Sequence, residues 1–246
     1  MIYVQCVLPV APIRKIADHR SEMTSQFLFG ETAEIMEENA EGWAYIKCTW
    51  DGYYGWVRLN QFAKSGRLAK AEEYATDWVN EIIHNKNKMM VPFGSSLYAG
   101  NLPRALPISQ GNIKEDDFKK IAFTFLNTAY CWGGRSVFGI DCSGFAQLVF
   151  KLAAISLFRD AHMQAQQGTL IDALHKSTCG DLAFFDEPPG IISHVGILLS
   201  PTEIIHASGQ VRIDSIDTNG IIHSTTGQRT HKLYSIKRII DFEKVY

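Results

Sequence analysis

The sequence contains no run of about 18 apolar residues, so no membrane-spanning helix is read from it. Its opening, Met1-Ile-Tyr-Val-Gln-Cys6, has neither a basic start nor a long apolar core, and no secretory signal is legible. A soluble, cytoplasmic protein is expected, unless an export segment precedes these residues. Charge of one sign is not in excess either, since 24 Lys and Arg against 26 Asp and Glu leave a net charge of −2. That balance gives no broad attraction to nucleic acid or to an anionic membrane, and neither is expected as a partner. The five cysteines (Cys6, Cys48, Cys131, Cys142 and Cys179) are odd in number, scattered and free of any C-x-x-C pair. This excludes a disulfide framework and a zinc ribbon, and leaves thiols free for chemistry. What is present, 46% hydrophobic residues over 246 positions, suffices for one large domain or two to three small ones. A small molecule or peptide is the expected partner.

Residues 1–63 read as all-β. Short apolar stretches (Ile2 to Val7, Ala33 to Met36, Trp43 to Cys48, Gly55 to Leu59) are separated by turn formers such as Glu41-Gly42 and Asp51-Gly52, which suits the strands of a small barrel. The chain then turns polar and charged, with Lys64-Ser-Gly-Arg and Lys70-Ala-Glu-Glu marking a linker. Within 64–111, Ile82-Ile83 and Met89 to Phe93 read as strands among frequent Pro and Gly, consistent with a second, smaller barrel.

From Asn112 the texture changes. Asn112 and Glu115 have capping-box spacing, and Phe118, Ile121, Ala122, Phe125 and Leu126 follow helical periodicity, predicting a helix from about Lys114 to Ala129. A second helix is predicted after Asp141, with Phe145, Leu148, Val149, Leu152 and Ala153 on one face. Strands are predicted over 180–185, 193–199, 204–207, 211–216 and 233–240. Helices followed by strands give residues 112–246 an α+β fold with an antiparallel sheet.

The chemistry concentrates in Tyr130-Cys-Trp-Gly-Gly-Arg-Ser-Val-Phe-Gly-Ile-Asp-Cys-Ser-Gly-Phe145. Asp141 is a good N-cap, which puts Cys142 in the first turn of a helix, where the dipole and unpaired N–H groups stabilise a thiolate nucleophile. Downstream, Ser193-His194-Val195-Gly196 and Ile205-His206-Ala207 lie on two strands equidistant from Ser200. A hairpin centred there makes His194 and His206 cross-strand neighbours, so that one imidazole serves as base and the other orients it. Cys142, His194 and His206 also make an open three-ligand zinc set, but no water-activating Glu accompanies them, and no metal or other cofactor is expected. Cys6, Cys48, Cys131 and Cys179 read as inert, and His162, His175, His223 and His231 as surface or structural histidines.

The pattern Y-x-W-G-G-x-S-x-x-G-x-D-C-S-G-F, then G-D-L, S-H-V-G-I and I-I-H-A-S, resembles the NlpC-type (NlpC and p60) cysteine peptidases over residues 112–246. The resemblance implies a papain-like fold and cleavage of peptidoglycan (murein) peptides, with Cys142 as nucleophile, His194 as base and His206 as orienting residue. Tyr130 matches the tyrosine that opens the motif. Residues 1–63, with a strand ending in Gly55-Trp56-Val57, resemble a bacterial SH3-like domain. With Ser21-Glu22-Met23-Thr24 and Asp51-Gly-Tyr53-Tyr54, they are similar to the SH3-like partner of γ-D-glutamyl-L-diamino acid endopeptidases. In that group the SH3-like domain walls one end of the cleft, and the free amine of L-Ala-γ-D-Glu is held there. The resemblance implies Glu22, Tyr53 (with Tyr54 as a rival) and Asp141 for that amine, and Ser143 near the D-Glu carboxylate. Trp132, beside two glycines, reads either as core or as cleft lining, and Glu22 either as substrate partner or as solvated turn residue.

One departure stands out: the family's P-R-x-S-x-x-Q stretch is here Phe158-Arg159-Asp160-Ala161-His162-Met163-Gln164, without the serine. The substrate hydrogen bond is then lost or supplied by Asp160. The expected activity is hydrolysis of the γ-D-Glu to diamino-acid bond of murein peptides with a free N-terminal L-Ala. Two rival readings are a catalytically degenerate wall-peptide binder and an acyltransferase using the same Cys-His-His site.

Overall fold

The structure, a computed structural model, describes residues 1–65, 73–97, 105–107 and 113–242. Asn112, half of the expected capping box, and most of the expected linker lie outside the described residues. The chain forms two compact units, Met1–Ser109 with Cys131–Gly139, and Gln110–Tyr130 with Ile140–Tyr246.

In the first unit, seven antiparallel strands arise where apolar residues alternate with polar ones: β1 (Tyr3–Cys6), β2 (Val10–Arg14), β3 (Met23–Leu28), β4 (Thr32–Glu38), β5 (Trp43–Cys48), β6 (Tyr54–Arg58) and β7 (Phe62–Ser65). They make one sheet in the order β3-β2-β6-β5-β4-β1-β7. Its inward side chains, among them Val4, Ile13, Phe27, Ile46 and Val57, form a single apolar core. The turn at Asp51-Gly52 works as the sequence suggests: Gly52 has φ +72°, and the hairpin pairs Trp43 with Arg58 and Ile46 with Gly55.

Beyond this sheet, β8 (Glu73–Ala75), β9 (Val79–His84), β10 (Asn87–Pro92), β11 (Ser96–Leu97) and β12 (Ala105–Pro107) form a two-stranded and a three-stranded antiparallel sheet. Phe29, Ala75, Ile82, Val91 and Leu97 make their shared core. The Cys131–Gly139 segment also clusters with this unit, its turn bracketed by β13 (Arg135–Ser136) and β14 (Gly139–Ile140).

The second unit is α+β. Helix α1 spans Glu115–Phe123 and stops well short of the predicted Ala129. The reason is competition from the sheet: Asn127 turns to φ +67°, and its N–H and the Thr128 carbonyl pair with Val211. Helix α2, Cys142–Leu152, matches its prediction, but instead of one apolar face it is buried on all sides from Cys142 to Lys151. A short α3 (Ala161–Gln164) follows.

The sheet contains β15 (Thr169–Ile171), β16 (Leu182–Asp186), β17 (Ile192–Ser200), β18 (Glu203–Ser208), β19 (Gln210–Asp217), β20 (Gly220–Ile222), β21 (Arg229–His231) and β22 (Leu233–Arg238). Its order is β15-β22-β16-β17-β18-β19-β20-β21, antiparallel throughout. Strand β21 sits at one end of this order and β22 next to the other, yet only Lys232 separates them in sequence. The sheet therefore curls until its ends approach, and α2 packs on β17 and β18. No helix among the described residues is long and apolar enough to cross a membrane.

Candidate active site

Asp141 is an N-cap with extended backbone (φ −92°, ψ 175°), and its Oδ1 accepts the Gly144 N–H at 2.7 Å. This fixes the first turn of α2 and puts Cys142 at its start, 6% exposed. The backbones of Val195 and Ser143 hydrogen-bond the sulfur, so the thiol lies against the strand residue that follows His194. The resting thiol differs from the expected thiolate. Burial, with Asp141 adding to it, pushes Cys142 up to about 12, while Val195, Arg159 and Ser143 pull the other way. Burial likewise raises Cys6 and Cys179 to about 12 and Cys48 well up. What sets Cys142 apart is its place at a helix start rather than its acidity. All five cysteines are free thiols.

His194 and His206 come together by a route other than the one predicted. The β17–β18 register pairs Ile197 with Ile205 and Leu198 with Ile204, then shifts at Ser200. Extended along the strands, this places Gly196 rather than His194 across from His206, and a Cβ at Gly196 would lie 2.9 Å from that of His206. The missing side chain leaves room for a diagonal contact: the two imidazoles meet edge to face, with His194 Nε2 2.8 Å from His206 Nδ1.

On its far side, His206 Nε2 lies 3.1 Å from Asp214 Oδ2. Asp214 also accepts from the Ser224 N–H at 2.8 Å and from Arg212 at 2.9 Å. These bonds hold its carboxyl well below the usual carboxylate range despite burial. A carboxylate only accepts, so His206 carries its proton on Nε2 and presents a bare Nδ1. His194 must then donate from Nε2, which leaves its Nδ1 unprotonated and basic. Burial and the neighbouring imidazoles keep His194 neutral, its pKa well below 6.5.

Two members of this group were not singled out from sequence. Asp214 sits on β19 in an alternating strand pattern that signals only an ordinary edge of the core. His231, expected to be structural or at the surface, stacks on His194 with ring centroids 4.2 Å apart and planes 24° apart. Its Nδ1 bonds the Thr230 hydroxyl at 2.8 Å, and burial lowers it to about 4.

Arg159 stands where the family stretch also has arginine. Its guanidinium, 2% exposed, reaches Asp141 Oδ1 at 3.0 Å and Oδ2 at 2.6 Å, and the Ser143 hydroxyl at 2.9 Å. Gln164 Nε2 bonds the Ser143 carbonyl at 3.0 Å. Asp141 is thus charge-paired, and both oxygens are engaged. Tyr130 is half-buried, its N–H bonded to the Gly209 carbonyl.

The remaining predicted residues lie in the first unit. Trp132, 64% exposed, donates its indole N–H to Glu22 Oε1 at 2.9 Å, and Lys15 reaches Glu22 Oε2 at 3.2 Å. Both contacts lower the Glu22 pKa. Gly133 takes φ +73° with its α-carbon so close to the Met23 carbonyl that a Cβ has no room. Behind it, buried Arg135 pairs with Glu31 (NH2 to Oε1 2.5 Å, NH1 to Oε2 3.0 Å) and bonds the Gln26 carbonyl at 2.7 Å. Glu31 in turn accepts the Leu28 N–H at 2.8 Å. Tyr53 packs against the seven-stranded core, whereas Tyr54 is exposed and stacks on Tyr45.

Comparison with known proteins follows the same division. Residues 127–230 match the NlpC/P60 family, and residues 13–62 match the bacterial dipeptidyl-peptidase Sh3 domain. The chain is 29% identical to the γ-D-glutamyl-L-lysine dipeptidyl-peptidase of Bacillus subtilis (strain 168), over 74% of this chain and 71% of that one. It is 26% identical to dipeptidyl-peptidase 6 of Lysinibacillus sphaericus, over 81% of this chain and 86% of that one. The crystal structure of an NlpC/P60 family protein from Bacillus cereus ATCC 10987 superposes with a TM-score of 0.79 at 19% identity, covering 97% of this chain and all of the other. That likeness concerns the fold.

Proposed function

The chain belongs to the NlpC/P60 family of cysteine peptidases and carries the Sh3 domain of bacterial dipeptidyl-peptidases, and on that premise we propose that it hydrolyses the γ-D-Glu to diamino-acid bond of murein peptides bearing a free N-terminal L-Ala. The observation that carries this reading is the hydrogen-bonded line Asp214–His206–His194 in the same unit as a cysteine at a helix start. The name of the Bacillus subtilis relative supports the choice of bond.

In this reading the substrate carbonyl is attacked by the Cys142 sulfur, and as the S–C bond forms the thiol proton passes to His194 Nδ1. Backbone N–H groups at the start of α2 receive the oxyanion. His194 then gives its proton to the leaving amine of the diamino acid, which departs as the thioester forms. A water molecule loses a proton to His194 and attacks the thioester, and the proton returns to sulfur as L-Ala-γ-D-Glu leaves. Buried neutral thiol and imidazole suit this sequence, since charge develops only once substrate is in place.

Recognition of the free amine is assigned to Glu22, the anion kept ionised by Trp132 and Lys15, and to Tyr53 in the role the family resemblance gives it. Asp141, already paired with Arg159, contributes no uncompensated charge to an ammonium and serves chiefly to set Cys142 and Ser143. The experiment is a comparison of L-Ala-γ-D-Glu-L-Lys with its N-acetyl form. The free-amine peptide is cleaved and the acetylated one is not, because acetylation removes the ammonium that Glu22 is assigned to pair with. Equal cleavage of both removes amine recognition from the account.

A further inference from the structure

His194, His206 and His231 converge although they come from three separate strands. One nitrogen of each lies within 4.8 Å of the corresponding nitrogens of the other two. Two of the rings are almost fully enclosed, His194 at 6% and His206 at 1% exposure. Asp214 accepts the Nε2–H of His206 and so turns the Nδ1 lone pair toward the other two rings. A carboxylate behind an imidazole is the arrangement that fixes a metal-binding histidine in its ligating tautomer and raises its basicity. His231 is tethered as well, its Nδ1 2.8 Å from the Thr230 hydroxyl.

From this juxtaposition of His194 Nε2, His206 Nδ1 and a ring nitrogen of His231 we infer that the chain has an inhibitory site for a late first-row divalent cation such as Zn²⁺. It differs from the Cys142–His194–His206 ligand set considered from sequence, because His231 takes the place of the thiol. The chemistry fits: neutral imidazoles suit zinc, copper and nickel, and three nitrogens with a water in the fourth position make a tetrahedral site. At Zn–N distances of about 2.0–2.1 Å the ligand nitrogens sit about 3.3 Å apart. The 2.8 Å hydrogen bond between His194 and His206 opens, and His231, stacked on His194 with planes 24° apart, closes in and tilts so that its lone pair meets theirs.

The proton balance is simple. When the cation enters, the His194–His206 hydrogen bond breaks and the His194 proton moves from Nε2 to Nδ1. His206 keeps its proton on Nε2 toward Asp214, and none is released. His194 then has no bare nitrogen with which to receive the Cys142 proton, so the metal-bound chain is inactive. That inhibitory consequence rests on the proposed function, whereas binding of the cation does not.

The test uses the full chain with Cys142→Ser, which removes the thiol as a competing ligand, and Zn²⁺ as the probe in calorimetric titration. One Zn²⁺ binds per chain, with affinity within tenfold of the unaltered protein. Adding His231→Phe, which keeps a flat ring against His194 but supplies no nitrogen, weakens binding at least tenfold. Absence of binding to the Cys142→Ser chain would place the metal on the thiol and overturn the inference, as would equal affinity with and without His231→Phe. Should the double variant fail to fold, imidazole ¹⁵N resonances of the Cys142→Ser chain decide: all three rings shift on adding Zn²⁺, and shifts confined to His194 and His206 overturn it. In the unaltered protein, peptide hydrolysis stops with Zn²⁺ and returns with a chelator. If Zn²⁺ binds as described but no murein peptide is ever cleaved, the site stands and the proposed function fails.

Discussion

His206 Nδ1 lies 2.8 Å from His194 Nε2, and that one contact, read outward to Asp214, fixes which nitrogen of His194 is free to act as a base. Each ring has a single tautomer consistent with the carboxylate at the end of the line. The predictions below follow from that order and from the charges buried around it.

Asp214→Asn breaks the order without removing the side chain. An amide donates as well as accepts, so His206 is free to carry its proton on Nδ1, and His194 Nδ1 then loses its role as base. Replacing a carboxylate that holds a catalytic imidazole in its tautomer by the amide lowers kcat by up to about 10⁴-fold. A fall of kcat in that range with KM little changed is expected in steady-state assays.

Arg159→Met leaves the Asp141 carboxylate without its cation at the start of α2, where the side chains of the pair are 1% and 9% exposed. Breaking one partner of a buried pair costs about 3–5 kcal/mol. Urea denaturation checks this, and the variant retains its fold only if the domain has that much stability to lose.

Arg135→Met does the same in the first unit, where the side chains of Arg135 and Glu31 are 5% and 6% exposed. The expected loss is again about 3–5 kcal/mol. Because Arg135 also ties the Cys131–Gly139 turn to Gln26, the Trp132 indole is freed from Glu22, and its fluorescence shifts toward that of solvated tryptophan.

Acid sensitivity follows from His231, whose pKa falls from 6.5 to about 4 on folding. Between those values the unfolded chain binds a proton that the folded chain does not, so stability falls as the pH drops from 6.5 toward 4. His194, depressed in the same direction, adds to this slope. His231→Phe makes the acid limb shallower, as measured by denaturant midpoints across that range.

Much of this site could be read along the chain, because its residues are local or paired by a short turn. Asp141-Cys142-Ser143 announces a capped helix start, and a cap is a matter of three or four consecutive residues. His194 and His206 were legible as a pair through the Ser200 turn, although the register that unites them depends on a glycine opposite His206 rather than on direct cross-strand alignment.

What escaped is what the curl of the sheet brings together. His231 reaches His194 only because β21 and β22, near opposite ends of the strand order, are joined through Lys232, and nothing in the local pattern of Arg229-Thr230-His231 encodes that. Helix α1 ends early for a similar reason: Asn127 and Thr128 have helical neighbours in sequence but a strand partner in space. Arg159 pairs with Asp141 and Ser143 from eighteen and sixteen residues away, a reach of a long guanidinium that spacing along the chain does not encode.

In the proposed reaction the Cys142 sulfur attacks the γ-D-glutamyl carbonyl. Rapid-quench intact-mass measurement with L-Ala-γ-D-Glu-L-Lys tests it most directly. The account predicts a transient adduct of L-Ala-γ-D-Glu on the peptide containing Cys142, released as free dipeptide, with both adduct and turnover abolished in Cys142→Ala while the fold is kept. Undiminished hydrolysis by a folded Cys142→Ala chain, or an adduct on any other residue, would contradict it.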